Sequence, residues 1–243
     1  MTLAAILALS SAGAQTTRDP VMIPPSKALD AFALEPNATG FFVNYNGDVL
    51  TARHVVRTCQ SLFLIKDGVV ARASVKAVSP DTDLAVITSR IRPFLVASFA
   101  KTSGVVSAQP VFTEGYEALQ HMPDRATTMY NAFARDRPAA SGGEFTLISS
   151  AKNGASGSPV LDQAGLVVGV VTDRAEASND DPRAYVTRSG AADYVIAVAD
   201  DTVKAFLSAS NIPFNETDAA QLEPMQARAP RAATLEVGVL CGE

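Results

Sequence analysis

Ser156 stands in the stretch Asn153-Gly154-Ala155-Ser156-Gly157-Ser158-Pro159-Val160. Glycines at 154 and 157 permit backbone conformations closed to residues with a Cβ, and they let another chain come close. A turn of this composition can aim the N–H groups of Gly154 and Ser156 at one point. Two converging donors are what the developing oxyanion of an acyl transfer needs. Gly, Ser, Asn and Ala are also ordinary loop residues, so the stretch gains chemical meaning only with a base and an acid. The chain has 2 histidines, His54 and His121. His54 ends the segment Asp48-Val49-Leu50-Thr51-Ala52-Arg53-His54, where a strand could hold a general base in place. His121 lies in a polar, proline-marked stretch and reads as an exposed loop histidine. Asp83 precedes the apolar run Leu84-Ala85-Val86-Ile87. A buried carboxylate there could fix the tautomer of an imidazole and stabilise its charged form, whereas Asp81 reads as a solubilising or capping residue.

The chain order is His54, Asp83, Ser156, as in chymotrypsin-like enzymes. An α/β-hydrolase arrangement needs a histidine after the serine, and none follows Ser156; its G-x-S-x-G turn also ends here in Ser158. A subtilisin order needs an aspartate before His54, and Asp30 and Asp48 stand in no matching context. The segments Thr39-Gly40-Phe41-Phe42-Val43, Thr51-Ala52-Arg53-His54-Val55-Val56, Asp81-Thr82-Asp83-Leu84-Ala85-Val86 and Gly154-Ala155-Ser156-Gly157-Ser158-Pro159 resemble the signature segments of trypsin-like serine peptidases. The resemblance is nearest to bacterial HtrA-type and related peptidase domains without an appended PDZ domain. It runs from about Thr39 to about Phe214.

The resemblance implies an all-β fold of two six-stranded antiparallel, chymotrypsin-like barrels, with the active site in the cleft between them; a C-terminal helix fits it too, and a short tail follows that the family does not require. It implies Ser156 as nucleophile, His54 as general base and then acid, Asp83 as orienter, and the Gly154 and Ser156 amides as oxyanion donors. It puts the floor of the specificity pocket at Ser150, with walls near Thr172, Arg174 and Ala192. Thr172 matches the position whose hydroxyl supports the aspartate. A neutral Ser150 predicts no selection for Lys or Arg, and a modest apolar side chain before the scissile bond. Three departures stand out. Ala155 replaces the aspartate that receives a freed N-terminus in many digestive enzymes, so no activation by that ion pair is expected. Ser158 replaces a glycine. Arg53 replaces a small or polar residue beside the histidine.

The expected function is a serine endopeptidase acting on protein or peptide substrates through an acyl-enzyme, with no cofactor and no metal. The alternative is a non-catalytic module that binds a peptide or partner on the same fold. The two are separated by whether Ser156 is reactive.

The elements that must position these residues follow from the hydrophobic pattern. Short apolar runs at 41–43, 49–51, 62–66, 69–78 and 84–88 are split by turns, with Asn46-Gly47 and Asp67-Gly68 as hairpin signals. Many short strands at this spacing suggest a β-barrel or a sandwich, and with the resemblance they make an N-terminal barrel over 39–93. After a link at 94–108, a C-terminal barrel and closing helix run over 109–214, with strands at 111–113, 127–132, 145–149, 158–161, 166–172 and 194–199. Val203, Phe206 and Leu207 recur at helical spacing, with Asp200 and Asp201 favourably near the start of that helix. A tail over 215–243 carries Leu235, Val237 and Val239 in alternation, which predicts a strand docked on the body.

Residues 1–14 read as a secretory signal, with Ala12-Gly13-Ala14 as the small-x-small cleavage site, although the positive n-region is missing. Residues 15–38 read as a proline-marked leader with a short helix at 27–34. Export to a bacterial periplasm, or secretion, is expected. The chain has 2 cysteines, Cys59 and Cys241, far from any metal-ligand pattern. In an exported chain they predict one disulfide; the alternative is two buried thiols. With 20 basic and 25 acidic residues, a net charge of −5 and no basic cluster, nucleic acid is not expected as a partner. No apolar run reaches the ~18 residues of a membrane span.

Overall fold

Apolar runs broken by two-residue turns give the first set of strands in the computed structural model, which describes residues 37–102, 104–135, 143–151, 154–175 and 193–242. Strands β1 (Ala38–Phe42) and β2 (Asp48–Ala52) form a hairpin. Its turn is held by the Asn44 side-chain oxygen, which accepts from the Asn46 and Asp48 amides, and by Gly47 at φ 86°. β3 (Ser61–Lys66) and β4 (Val69–Val78) are joined through Asp67 and Gly68, both at positive φ, 49° and 77°. That is the backbone twist a tight hairpin requires. β5 (Leu84–Ser89) lies between β4 and β2.

Closure of this barrel comes from the far end of the chain. Strand β14 (Glu236–Gly242) inserts between β1 and β3, antiparallel to both, giving the closed order β1-β14-β3-β4-β5-β2. The tail strand expected to dock on the body is therefore the sixth stave. Without it β1 and β3 would both present unpaired edges. β1, β2 and the first four residues of β5 are buried on both faces, which accounts for their apolar runs, whereas β3 alternates buried with half-buried residues and β4 is mostly exposed. Phe42, Val49, Leu64, Ala85, Ile87, Val237 and Val239 fill the barrel. Their neighbours Phe41, Leu50, Leu84 and Val86 point the other way and pack on the second sheet.

The second sheet carries β6 (Ser98–Phe99), β7 (Pro110–Val111), β8 (Ala132–Arg135), β9 (Glu144–Ser149), β10 (Pro159–Leu161), β11 (Val167–Ala175), β12 (Asp193–Ala199) and β13 (Asn215–Glu216). Its path runs β13-β6-β11-β12-β9-β8-β7, with β10 on the side of β11. The sheet curls until Phe112, beside β7, exchanges two backbone hydrogen bonds of 2.9 and 2.8 Å with Leu161 in β10. The all-β, chymotrypsin-like architecture expected from the resemblance is thus present. Residues 127–132 do not form the expected strand. The Thr127 and Thr128 amides turn back onto the Asp124 carbonyl, at 2.9 and 3.0 Å, and β8 starts only at Ala132.

Four helices complete the described chain: α1 (Arg53–Arg57), α2 (Tyr116–His121), α3 (Asp200–Ala209) and α4 (Ala229–Leu235). α3 is the expected closing helix, and buries Val203, Phe206 and Leu207. They join Phe41, Leu84, Phe99, Phe112 and Val170 in one core that cements the two sheets. Each fully buried side chain of this size contributes roughly 1.5–3 kcal/mol. The expected signal peptide at 1–14 and the helix at 27–34 lie outside the described residues.

Candidate active site

Two neighbouring strands bring the base and the acid together. β2 ends at Ala52, which pairs with Leu84 at the start of β5. His54 follows the first and Asp83 precedes the second, so the pair meets at one end of the barrel. The Arg53 amide donates to the Asp83 carbonyl at 3.2 Å. One Asp83 oxygen accepts from the His54 amide at 2.8 Å, and the other meets His54 Nδ1 at 2.6 Å. A carboxylate only accepts, so Nδ1 carries a proton, and in the neutral ring Nε2 keeps its lone pair. α1 is a single turn without a side-chain cap, and its start is fixed by the Asp83 carboxylate instead.

The electrostatics follow from this contact. The hydrogen bond that His54 donates to Asp83 raises the His54 pKa above 6.5; partial burial works against it, and the charges of Asp83 and Asp173 reinforce it. Burial pushes the Asp83 carboxyl up, but the ring and backbone hydrogen bonds of His54, with the charges of His54 and Arg53, outweigh burial and hold it below its ordinary value. Arg53 contributes more than charge. Its Nη1 donates to the Ser79 and Pro80 carbonyls at 2.8 and 3.0 Å, and its Nε lies 3.9 Å from Asp83 Oδ1. It clamps the loop that delivers the aspartate. Its position beside the histidine was legible in the sequence, but its partners were not.

The serine turn is fastened to β1. The Thr39 amide donates to the Ser156 carbonyl at 3.0 Å, and the Thr39 hydroxyl donates to the Gly154 carbonyl at 2.8 Å. On the other side the Gly157 amide donates to Val171 O at 2.7 Å. Gly154 and Gly157 both have φ of 90°. A Cβ on Gly157 would strike the Thr39 carbonyl and lie 2.6 Å from Thr51 Oγ1. Glycine is therefore needed here for close approach as well as for φ. Thr51 in turn donates to Thr39 O at 2.7 Å. The route from Ser156 to His54 is short: serine turn, Thr39 on β1, Thr51 on β2, then α1. The motif Thr39-Gly40 was visible in the sequence; that its threonine anchors a turn 115 residues away was not.

Among the described residues, the Ser156 hydroxyl makes no hydrogen bond to His54, whose ring is joined to Asp83. The Gly154 and Ser156 amides donate to no acceptor among the described residues. Ser150 is exposed, at the end of β9. Thr172 is buried, and its hydroxyl donates to the Ile196 carbonyl at 3.4 Å rather than to Asp83. Of Arg174 only the backbone in β11 is described, and Ala192 lies outside the described residues. His121 is exposed and bonded within α2, where its Nδ1 lies 3.1 Å from Glu117 Oε1. Cys59 and Cys241 are joined in a disulfide, with Cα atoms 5.2 Å apart. It ties the segment just after α1 to β14.

A family model described as "Trypsin-like peptidase domain" matches residues 38–170, more than half of the chain. The chain belongs to the trypsin-like peptidase domain family, as its four signature segments suggested. A curated relative, the uncharacterised protein y4bJ of Sinorhizobium fredii (strain NBRC 101917 / NGR234), is 29% identical over 158 residues; the match covers 57% of this chain and 22% of that protein. Among solved structures, the HtrA-type protease AlgW with a decapeptide superposes with a TM-score of 0.52 at 16% identity, covering 72% of this chain and 51% of that one. An inactive form of the protease Rv3671c from M. tuberculosis H37Rv gives a TM-score of 0.48 at 20% identity, over 71% of this chain and 83% of that one.

Proposed function

We propose that the chain is a serine endopeptidase in which Ser156, His54 and Asp83 form the catalytic triad. The observation that carries this reading is the doubly bonded Asp83–His54 pair, at 2.6 and 2.8 Å, beside a serine turn fastened to the same barrel through Thr39. His54 Nε2 accepts the Ser156 proton as the oxygen attacks a peptide carbonyl. The resulting oxyanion is met by the Gly154 and Ser156 amides. His54 then hands the proton to the leaving amine, and water enters by the same route to release the acyl group. Asp83 stays ionised and steadies the imidazolium.

Ser156 closes onto His54 when substrate enters, as catalytic hydrogen bonds commonly tighten in the bound complex. Ala155 is buried among apolar residues, so the serine turn needs no ion pair with a freed N-terminus. The neutral Ser150 favours a modest apolar side chain before the scissile bond. The apolar segment at 1–14 supports export as the setting of this activity.

A fluorophosphonate probe tests the reading. Folded protein is expected to label at Ser156, and Ser156→Ala and His54→Ala to abolish labelling. The lack of a Ser156–His54 hydrogen bond among the described residues favours one other reading, a peptide-binding module with an idle triad. Peptide binding without labelling in the folded parent protein would establish that reading instead.

A further inference from the structure

A cleft of about 500 Å³ shares no residue with the triad. It opens where the end of β3, the segment after β5, α2 and the start of the C-terminal segment meet. Lys66, Arg92 and Arg125 line it, with Gln120, Phe94 and a single carboxylate, Asp67. Among the described residues none of the three cations forms a salt bridge. Each is held in place through only part of its donor set. Lys66 Nζ donates to Ala233 O at 2.6 Å, Arg125 Nη1 to Leu119 O at 2.8 Å, and Arg92 Nη1 to Ser89 O at 3.0 Å. An ammonium has three N–H donors and a guanidinium five, so most remain available to a ligand. Burial lowers the Lys66 pKa and the nearby Arg125 charge adds to this, while Asp67 and the buried Glu236 oppose it. Three oriented cations facing a half-enclosed space, with one exposed carboxylate among them, leave an excess of positive charge. Phe94 is 92% exposed at its edge, a large apolar face that folding has left uncovered.

We propose that this cleft binds a small anionic ligand, its carboxylate or phosphate group held by Lys66, Arg92 and Arg125 and its flat apolar part laid against Phe94. The two guanidinium forks suit the planar or tetrahedral oxyanion geometry. Lys66 adds a compact charge at the inner wall, where its stem is packed and its position set by Ala233.

The test uses the full chain carrying Ser156→Ala, so that its outcome is independent of whether Ser156 is catalytic. Phenyl phosphate and phthalate serve as probes, titrated calorimetrically against sodium chloride of matched ionic strength. Saturable one-to-one binding of either probe is expected, and which of the two binds tells phosphate from carboxylate. Arg92→Glu, at an exposed position, should weaken that binding at least tenfold, and Arg125→Met likewise. Phe94→Ala should erase the advantage of phenyl phosphate over inorganic phosphate. Arg57→Met, an exposed arginine outside the cleft, should change nothing. Binding no better than chloride for both probes, or equal binding by the parent and Arg92→Glu, overturns the proposal.

Discussion

His54 acts as a base only when neutral, and Asp83 holds its pKa above 6.5. The sign is fixed by that direction. The charged pair favours the folded state below pH 6.5, and this contribution is lost as pH rises through the raised folded value. Catalysis shows the reverse dependence: kcat/KM should rise with pH along a limb whose midpoint lies above 6.5. Asp83→Asn removes the largest cause of the raised value, so the midpoint should move down while kcat falls by about 10⁴-fold. Stopped pH–rate profiles on a peptide substrate check both. Arg53 acts through Asp83 rather than on the substrate. Arg53→Ala should lower kcat with little change in KM, and Arg53→Lys should restore only part, since a lysine cannot span both carbonyls of the 79–80 loop and the carboxylate. A mutation with equal loss in both variants and an altered KM would place Arg53 in substrate binding instead. At Gly157 a methyl group meets the Thr39 carbonyl at a φ of 90°. Gly157→Ala should therefore displace the serine turn, removing fluorophosphonate labelling and destabilising the fold by about 1–3 kcal/mol.

At the scale of elements, β14 carries an unusual residue. Glu236 is fully buried, neither of its carboxyl oxygens has a hydrogen-bond partner among the described residues, and it faces Glu114 and Lys66. Burial drives its pKa well above 4.5; Lys66 pulls it down and Glu114 pushes it up. For an acid raised in the folded state, the stability penalty is absent below the unfolded value near 4.5 and grows as pH rises above it. Glu236→Gln should accordingly raise the urea midpoint at pH 8, by about 1–3 kcal/mol in stability. The gain should vanish toward pH 4. A gain that is the same at both pH values would show that shape, not ionisation, is responsible. The short helices α1 and α2 have a related logic. Neither has a side-chain cap; each is started by a tertiary contact, the Asp83 carboxylate for α1 and the Thr39 hydroxyl bonded to the Tyr116 amide at 2.8 Å for α2.

For the whole molecule, the C-terminal segment decides whether the first barrel closes. β14 supplies hydrogen bonds to β1 and β3 at once, and the disulfide fastens it across a sequence separation of 182. Cys241→Ser should lower stability by about 2–5 kcal/mol, read as a lower urea midpoint, and non-reduced protein should present no alkylatable thiol. Removing residues 229–242 is a harsher change. It leaves two unpaired strand edges and strips Leu235, Val237 and Val239 from the cores. That truncated chain should aggregate, and soluble, monomeric truncated protein with native circular dichroism would show that five strands suffice.

Local pattern determined much of this protein. The hairpin at Asp67-Gly68, the amphipathic α3, the order of His54, Asp83 and Ser156 and the pairing of two isolated cysteines all follow from residues read a few positions at a time, because turns, periodicity and residue chemistry are short-range properties. Family membership was legible in the same way, from four separated segments. The strand expected at 127–132 failed because the Thr127 and Thr128 amides bond the Asp124 carbonyl while the Thr128 carbonyl accepts from the Arg228 and Ala229 amides, at 3.1 and 3.3 Å, at the start of α4. What tertiary structure alone decided was the set of meetings between distant parts: Thr39 with the serine turn, Arg53 with the loop before Asp83, and β14 as the stave that seals the first barrel. Strand pairing and close packing carry no spacing rule along the chain. Their partners are chosen by which edges and faces remain unsatisfied once the local elements have formed.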